Sequence, residues 1–568
     1  MKKLADVLQD WEAVIGLEIH TELTTLDTKM FCNCRLSHDD EPNTNVCPVC
    51  LGLPGALPVP NRRAIQSIVK AGLATNCEIM RHSMFYRKHY FYPDMAKNFQ
   101  TTQGPVAFCM HGHLDLEVAG RGAAERPECA FGEAEAQSLA SASANAVGLS
   151  TAMSDHLPEG GAARPKASSQ GTYDTANLVL PERAEDGSYT VPIRILRIHM
   201  EEDAAKMVHV GGEEGRIGGA TESLVDYNRC GTPLIELVTE PDLRTPEEAR
   251  LFMEKLRRVF LTLGISDCSM EKGSMRCDGN VSLRRRGETK LGTKTELKNL
   301  NSFKALHDGL EYEICRQAEV LEEGGVIYQE TRHWDPSAKR TIVMRVKETA
   351  DDYRLFPEPD LAPYDLSDGF IEGVRAKLPE LPDQKAARFA ADFGLTSYDA
   401  RHLVDHRATA DFFDECMALA KAEADGSKFA KPLANLIIND VAAWLNAHEG
   451  TLLADTPLTA ARALSLVKML ADDTISSKQA KEVFAAIMDE DKDPEAIVEA
   501  RGMKQVSDTG AIEAVVDEVI AANPDEVARY RDGNTKVIGF FVGQCMKAMR
   551  GQGNPKIINE LLAKKLAE

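Results

Sequence analysis

Apolar and polar residues alternate with a period of two along four well-separated stretches: "VIGLEIHTEL" from Val14, "VPIRILRIHM" from Val191, "TPLIELVTE" from Thr232 and "SMRCDGNVSLR" from Ser274. Successive side chains of a strand point to opposite faces, so each stretch predicts a strand with one buried side. The pattern runs from about Ala13 to Asp360 with Gly-rich turns between, which predicts an α+β region around a sizeable, antiparallel sheet. After "LPELPDQ" (Leu378 to Gln384) the period lengthens to that of amphipathic helices, as in "KPLANLIINDVAAWLNAH" and "TGAIEAVVDEVIAANPDEVARY". These shifts place domain boundaries after residue 378 and near Pro494, giving domains 1–378, 379–493 and 494–568. Within the first, Gly120 to Gly187 is rich in Ala, Ser, Glu and Gly without a motif, and is expected to be a surface excursion.

The length of 568 residues and 43% hydrophobic content bound the chain to more than one buried core. The start, "MKKLADVLQDWEAVIG", has no apolar segment followed by a small-residue cleavage site, and no apolar run reaches the ~20 residues of a membrane span. A cytoplasmic protein with no membrane partner is expected, and thirteen cysteines, an odd number, point to reduced thiols. The net charge of −22 and the lack of a basic recognition helix argue against a DNA-reading module. The last forty residues nevertheless carry eight Lys and Arg against three Asp and Glu, so 8 − 3 gives +5 at one end. There Lys536, Lys547, Arg550 and Lys556 accompany Phe540, Phe541, Val542 and Met546, which are expected to form the apolar side of a short helix. Such a local excess concentrates attraction for an RNA backbone.

"FCNCRLSHDDEPNTNVCPVC" spaces Cys32 and Cys34 as C-x-C, then Cys47 and Cys50 as C-x-x-C. Two short-spaced pairs can surround one zinc ion with four sulfurs. No position is then left for water, so the zinc is expected to be structural.

A second chemistry lies in the strands. In "GLEIHTEL" the residues Glu18, His20 and Glu22 share the face opposite Leu17 and Ile19. "RIHMEEDAAK" offers Glu201, Glu202 and Asp203, Glu236 sits in an otherwise apolar strand, and Glu296 lies between Lys294 and Lys298. A carboxylate embedded in an apolar strand is costly unless it meets a cation, and clustered carboxylates with a histidine suit Mg²⁺. Arg276, Asp278, Asn280, Ser282 and Arg284 project from one strand face and could meet a nucleotide. "GETKLGTKT" misses the phosphate-loop pattern because Thr293 separates Gly292 from Lys294, and its flanks read as a hairpin. Any ATP site must then be built on the sheet.

Taken together, "GLEIH", "YFYPDMAKNFQTTQ", "RIHMEEDAAK", "DYNRCGTPLIELVTEPDL", "SMRCDGNVSLR", "GTKTELKNLNSF", "DDYRLFPEPDL" and "TKVIGFFVGQCMKAMRGQGNP" resemble the B subunits of bacterial aspartyl/glutamyl-tRNA amidotransferases. The Gly120 to Gly187 stretch and the Gly-rich loop "VGGEEGRIGGATES" depart from the family pattern without touching a motif. The resemblance implies a glutamine-synthetase-like cradle domain, a helical domain and a small helical tail. It implies that ATP phosphorylates the side-chain carboxylate of Glu on tRNA(Gln) or Asp on tRNA(Asn), and that ammonia then displaces phosphate. Carried over by motif position, Glu18, His20, Glu202, Glu236 and Glu296 form the Mg²⁺ and activation set, with Glu202 chosen over Glu201 as the acid that aligns with the family's ligand. Lys97, Arg276, Asp278, Asn280, Arg284 and Lys294 are candidates for ATP, and Lys536, Lys547, Arg550 and Lys556 for tRNA. No Gly-Gly-Ser-Ser-Gly nucleophile loop is present, so ammonia is expected from an amidase A subunit braced by a small C subunit. The competing expectation is a non-catalytic scaffold that presents tRNA to an enzyme partner.

Overall fold

The apolar positions of the first alternating stretch, Ile15, Leu17 and Ile19, are wholly buried, while Glu18 and His20, of the opposite parity, stay half-buried. That split fixes the two sides of the sheet. The computed structural model describes residues 2–37, 40–119, 183–211, 219–346, 354–422, 425–448, 450–504, 509–549 and 552–567. Most of the Gly120 to Gly187 stretch, part of the Gly-rich loop and Arg550 lie outside them.

In chain order the strands are β1 (Trp11–Glu22), β2 (Glu78–Ile79), β3 (His82–Ser83), β4 (Phe85–His89), β5 (Phe99–Gln103), β6 (Cys109–Val118), β7 (Tyr189–Glu202) and β8 (Lys206–Val210). They continue with β9 (Glu222–Asp226), β10 (Pro233–Thr239), β11 (Met275–Arg285), β12 (Thr295–Lys298), β13 (Glu330–Asp335), β14 (Arg340–Val346), β15 (Phe356–Pro357) and β16 (Tyr364–Asp365). The main sheet runs β14-β13-β12-β11-β1-β10-β7-β5-β4-β15, and the long β7 also pairs with β6. Its pairs are antiparallel except β12 with β13. The sheet is therefore mixed, and the reason is the connection: helix Phe303–Glu322 lies between β12 and β13, and parallel neighbours need such a crossover.

Helices cover one side. Pro246–Leu263 begins at Thr245, whose hydroxyl accepts from Glu248 N at 3.0 Å, and ends at Gly264 in the left-handed region with φ +63°. It packs on Phe303–Glu322, which in turn packs on β11, while helix Arg62–Ala74 packs on β6 and β7. The polar side of β12, β11, β1, β10 and β7 faces the other way.

The described chain divides into two compact units, Met1–Pro379 and Glu380–Glu568. The second is helical and buries two separate apolar clusters. One is built around Phe389, Phe413, Leu433 and Ile487, the other around Ile512, Phe541, Ile558 and Leu562. Helix Pro494–Ala500 places Ile497 and Val498 in the first cluster, so the break between clusters falls after Pro494, between Val498 and Ile512. Among the described residues no helix is long and apolar enough to cross a membrane.

Candidate active site and cysteine centre

The ladders bring distant residues side by side. His20 on β1 lies opposite Glu236 on β10 and Arg276 on β11, Glu236 lies opposite His199 on β7, and Glu18 lies opposite Asp278. Farther along, Asn280 faces Glu296 on β12. With the strand pleat these even-numbered residues of β1, β10, β11 and β12, and the odd-numbered ones of β7, share one face.

Glu236 is the centre. Its Oε2 is 3.2 Å from His199 Nε2 and 3.5 Å from His20 Nε2. His20 Nε2 is also 3.8 Å from Glu201 and 3.9 Å from Glu18, and His199 Nε2 is 3.8 Å from Glu201. Two sets that could hold a cation, Glu18–His20–Glu236 and His199–Glu201–Glu236, share that carboxylate. Burial disfavours the imidazolium of His199, but Glu236 and Glu201 outweigh it and raise its pKa to about 9. His20 moves the same way for the same reason, with Glu236 the main partner. Glu236 is held well below the usual carboxylate range, since the two histidines overcome its burial. Glu18 is pushed up by burial and by the charge of Glu236.

Basic groups border the cluster. Lys298 Nζ donates to Asp278 at 2.5 Å and lies 3.4 Å from Glu296, whose other oxygen accepts from Thr331 Oγ1 at 2.7 Å. On the other side Arg229 donates to Glu22 at 2.7 Å and to Asp203, and Asp203 also accepts from Arg276 at 2.6 Å. Glu22 is raised to about 7, chiefly by burial and against the pull of Arg229.

Glu202 does not join this group. Its carboxylate meets Lys97 Nζ and accepts from Thr101 N at 2.9 Å, so the Glu202 and Lys97 of the expected site form a buried pair of their own. Glu201 stands where the resemblance implies Glu202. The signal lies in "RIHMEED": His199 and Glu201 share parity, whereas Glu202 follows the apolar Ile198 and Met200. Arg284 lies on the predicted face of β11 but is 3% exposed and donates to Glu12 at 2.9 Å, beside Arg244. That pairing commits it to the fold and removes it from the nucleotide candidates. Arg276, Asp278 and Asn280 remain on the open face, and Lys294 is exposed just before β12. His199 and Arg229 join this arrangement although the sequence pattern does not single them out, whereas Asp203 is one of the carboxylates that "RIHMEEDAAK" offers. His199 and Arg229 each lie in a stretch whose motif draws attention to other residues. The Gly287 to Thr295 segment joins β11 to β12 and opens no helix; a Cβ on Gly292 would lie 2.1 Å from Leu283 O, so close backbone approach explains that glycine.

Cys32, Cys34, Cys47 and Cys50 converge, all four sulfurs lying within 4.8 Å of one another. Four sulfurs at ~2.3 Å from a tetrahedral zinc would be about 3.8 Å apart, so the set fits that ion. The Cys50 thiol is held down to about 5 by its hydrogen bond with Cys32, against burial and with help from Cys47 N–H and Lys29. The other cysteines among the described residues are free and buried.

A model of the GatB/GatE catalytic domain matches residues 13–372, and one of the GatB domain matches residues 411–566. The B subunit of the aspartyl/glutamyl-tRNA(Asn/Gln) amidotransferase of Carboxydothermus hydrogenoformans is 44% identical over 561 residues, covering 99% of this chain and 100% of the relative. The chain belongs to this B-subunit family. Proteins of the same description from a Picosynechococcus and a Geobacter are 42% and 43% identical, each alignment covering 98% of this chain and 98% and 99% of the relatives. The first family match spans both the carboxylate face and the cysteine centre, and the second spans the basic tail. In that tail Lys536, Lys547 and Lys556 are exposed, while Phe541 and Cys545 are buried one helical turn apart. Val542 and Met546 pack at the edge of the cluster, but Phe540 is 41% exposed. Phe540 precedes the buried Phe541 in helix Ile538–Ala548 and so falls off the apolar stripe expected to include it.

Proposed function

We propose that this chain phosphorylates the side-chain carboxylate of Glu carried by tRNA(Gln), or Asp carried by tRNA(Asn), at the expense of ATP. The γ-phosphoryl group passes to a carboxylate oxygen as its bond to ADP breaks. Ammonia then attacks the acyl carbon, phosphate leaves, and the amide results. The observation that supports this most is the convergence of Glu18, His20, His199, Glu201 and Glu236 on one sheet face, the last three buried and the first two half-buried, bordered by Arg276 and Lys298. The relatives, named as B subunits of a tRNA amidotransferase, support a complex acting on tRNA.

Glu18, Glu201 and Glu236 supply the oxygen donors that Mg²⁺ takes, and His20 and His199 hold Glu236 ionised between them. When bound, the ion would neutralise phosphate charge and polarise the transferring group. Phosphoryl transfer needs mainly positioning and charge neutralisation, and that is what the protein groups offer. Asp278 orients Lys298, and Asp203 orients Arg276, so both cations are fixed before substrate arrives. Glu296 with Thr331 closes the β12 end of the face. The cysteine centre holds structural Zn²⁺. Lys536, Lys547 and Lys556, with Arg550 of the same stretch, meet the tRNA backbone, and an amidase A subunit with a small C subunit supplies ammonia.

The test is conversion of mischarged Glu-tRNA(Gln) by the reconstituted complex with ATP and glutamine. Amide formation coupled to ADP release is expected, and Glu236→Gln should abolish it while ammonia release from glutamine continues. A complex that forms amide without consuming ATP would overturn the proposal in favour of a scaffold.

A further inference from the structure

Lys29 is 1% exposed, and its ammonium donates to Tyr227 O at 3.1 Å and to Cys50 Sγ at 3.8 Å. Among the described residues it forms no ion pair with a carboxylate. A buried ammonium needs a negative group nearby; the one it donates to is the Cys50 sulfur, and the Glu202 carboxylate, paired with Lys97, lies in the same surroundings, its Oε2 3.8 Å from the place of a Cβ on Gly231. Zinc bound by four thiolates carries a net charge of +2 − 4 = −2, so a buried cation beside one sulfur is favourable there. The zinc loop and Lys29 thus stabilise each other.

The second partner of Lys29 leads to the open face. Tyr227 O also accepts from Cys230 N at 3.1 Å, which closes the turn carrying Arg229. Gly231, with φ +86°, ends it; its N–H donates to Asp203 O at 3.0 Å and its carbonyl accepts from Met30 N at 2.8 Å. A Cβ there would lie 3.5 Å from Lys29 Cδ and 3.9 Å from Cys50 Cβ, so the turn rests directly on the cysteine loop. From that turn Arg229 reaches Glu22 and Asp203, and Asp203 holds Arg276, which faces His20 across the ladder.

We infer that Lys29 is a positioning residue linking the four-cysteine zinc centre to the Arg229 turn and, through Asp203, to Arg276 on the phosphoryl-transfer face. The zinc then does more than hold the loop: it fixes the arginines that border the site. The zinc and the effect on ATP rest on the proposed function; the contacts of Lys29 with Cys50 and Tyr227 do not.

The experiment compares wild-type complex with the Lys29→Met complex. Release of zinc to a chelator should be about tenfold faster in Lys29→Met, the scale seen when a group supporting a metal ligand is removed. In the cobalt-substituted proteins the thiolate-to-cobalt absorption should shift, because the hydrogen bond to Cys50 Sγ is gone. Hydrogen exchange should rise across 227–231 and 201–203 but not in β13, and KM for ATP should rise while KM for the mischarged tRNA stays. Wild-type release, absorption and exchange in folded Lys29→Met would overturn the link. A normal KM for ATP beside a changed zinc centre would overturn only its extension to the site. Wild-type protein stripped of zinc gives a test that needs no folded variant: exchange must rise at 227–231 ahead of β13, and equal protection with and without zinc refutes the inference.

Discussion

Glu12 and Arg284 face each other across the β1–β11 ladder, and Arg284 Nε donates to Glu12 Oε2 at 2.9 Å in a space closed to solvent. Burial pushes Glu12 up, but Arg284 and Arg244 outweigh it and hold its carboxyl below the ordinary value. The unfolded chain therefore takes up the proton more readily. The stabilisation is complete above the unfolded value of about 4.3 and is lost as pH falls through the folded one. Glu12→Gln should destabilise the protein by about 3 kcal/mol at neutral pH, since it leaves two buried guanidinium groups short of a counter-charge. Denaturant midpoints measured from pH 7 down to pH 3 should show the gap to wild type closing in the acid range.

Glu201 and Glu202 are adjacent in sequence and differ in their partners, Glu201 lying beside His20 and His199 and Glu202 beside Lys97. Glu201→Gln removes a carboxylate within 3.8 Å of both histidines and should lower ATP-dependent amide formation on the order of 10²-fold, with the thermal midpoint little changed. Glu202→Gln breaks the pair with Lys97 and should cost about 1–3 kcal/mol of stability while sparing most activity. The reverse assignment of effects would return the metal site to Glu202.

For the cysteine centre, elemental analysis of protein purified without chelator should find one zinc per chain. Cys47→Ser should lose the metal and the thermal stability together, because structural zinc contributes folding free energy on the order of 10 kcal/mol in small domains. Protein that melts at the wild-type temperature with no zinc would leave four packed thiols as the account.

The tail can be tested by point changes that spare its core. Lys536, Lys547 and Lys556 are exposed, whereas truncation from Tyr530 would strip Phe541, Ile558 and Leu562 from the cluster they share with Ile512 and Val516. Replacing the three lysines by alanine should weaken tRNA binding about tenfold or more at moderate salt and reduce the salt slope of log K by roughly two to three. Release of ammonia from glutamine without tRNA should be unaffected. An unchanged slope would show that the phosphates are met elsewhere.

Strands are legible wherever one side of an alternating stretch is buried, as at Ile15, Leu17 and Ile19, because a period of two leaves no other way to bury them. The convergence of Cys32, Cys34, Cys47 and Cys50 is legible from spacing, since short-spaced pairs constrain geometry locally. Arg284 is misplaced by its pattern because alternation puts it on the site's face, while its commitment depends on Glu12 and Arg244, far away in the chain. Arg229 escapes a periodic reading because its function comes from a turn with Gly231 at positive φ, which carries no such signal. The parallel β12–β13 pair is invisible for a related reason: strand direction is set by the connecting helix, not by either strand's pattern.

The open face draws its groups from strands β12, β11, β1, β10 and β7, neighbours in the sheet whose residues run from Glu18 to Lys298. Glu18 and Asp278 are ladder partners, so closing that one contact requires the intervening polypeptide to be gathered in first. Pairings this far apart in sequence are slow to form and late to be rewarded. The site is thus a property of the completed sheet: no N-terminal fragment ending before β11 can contain it, and during synthesis competence arrives only after Lys298 has left the ribosome.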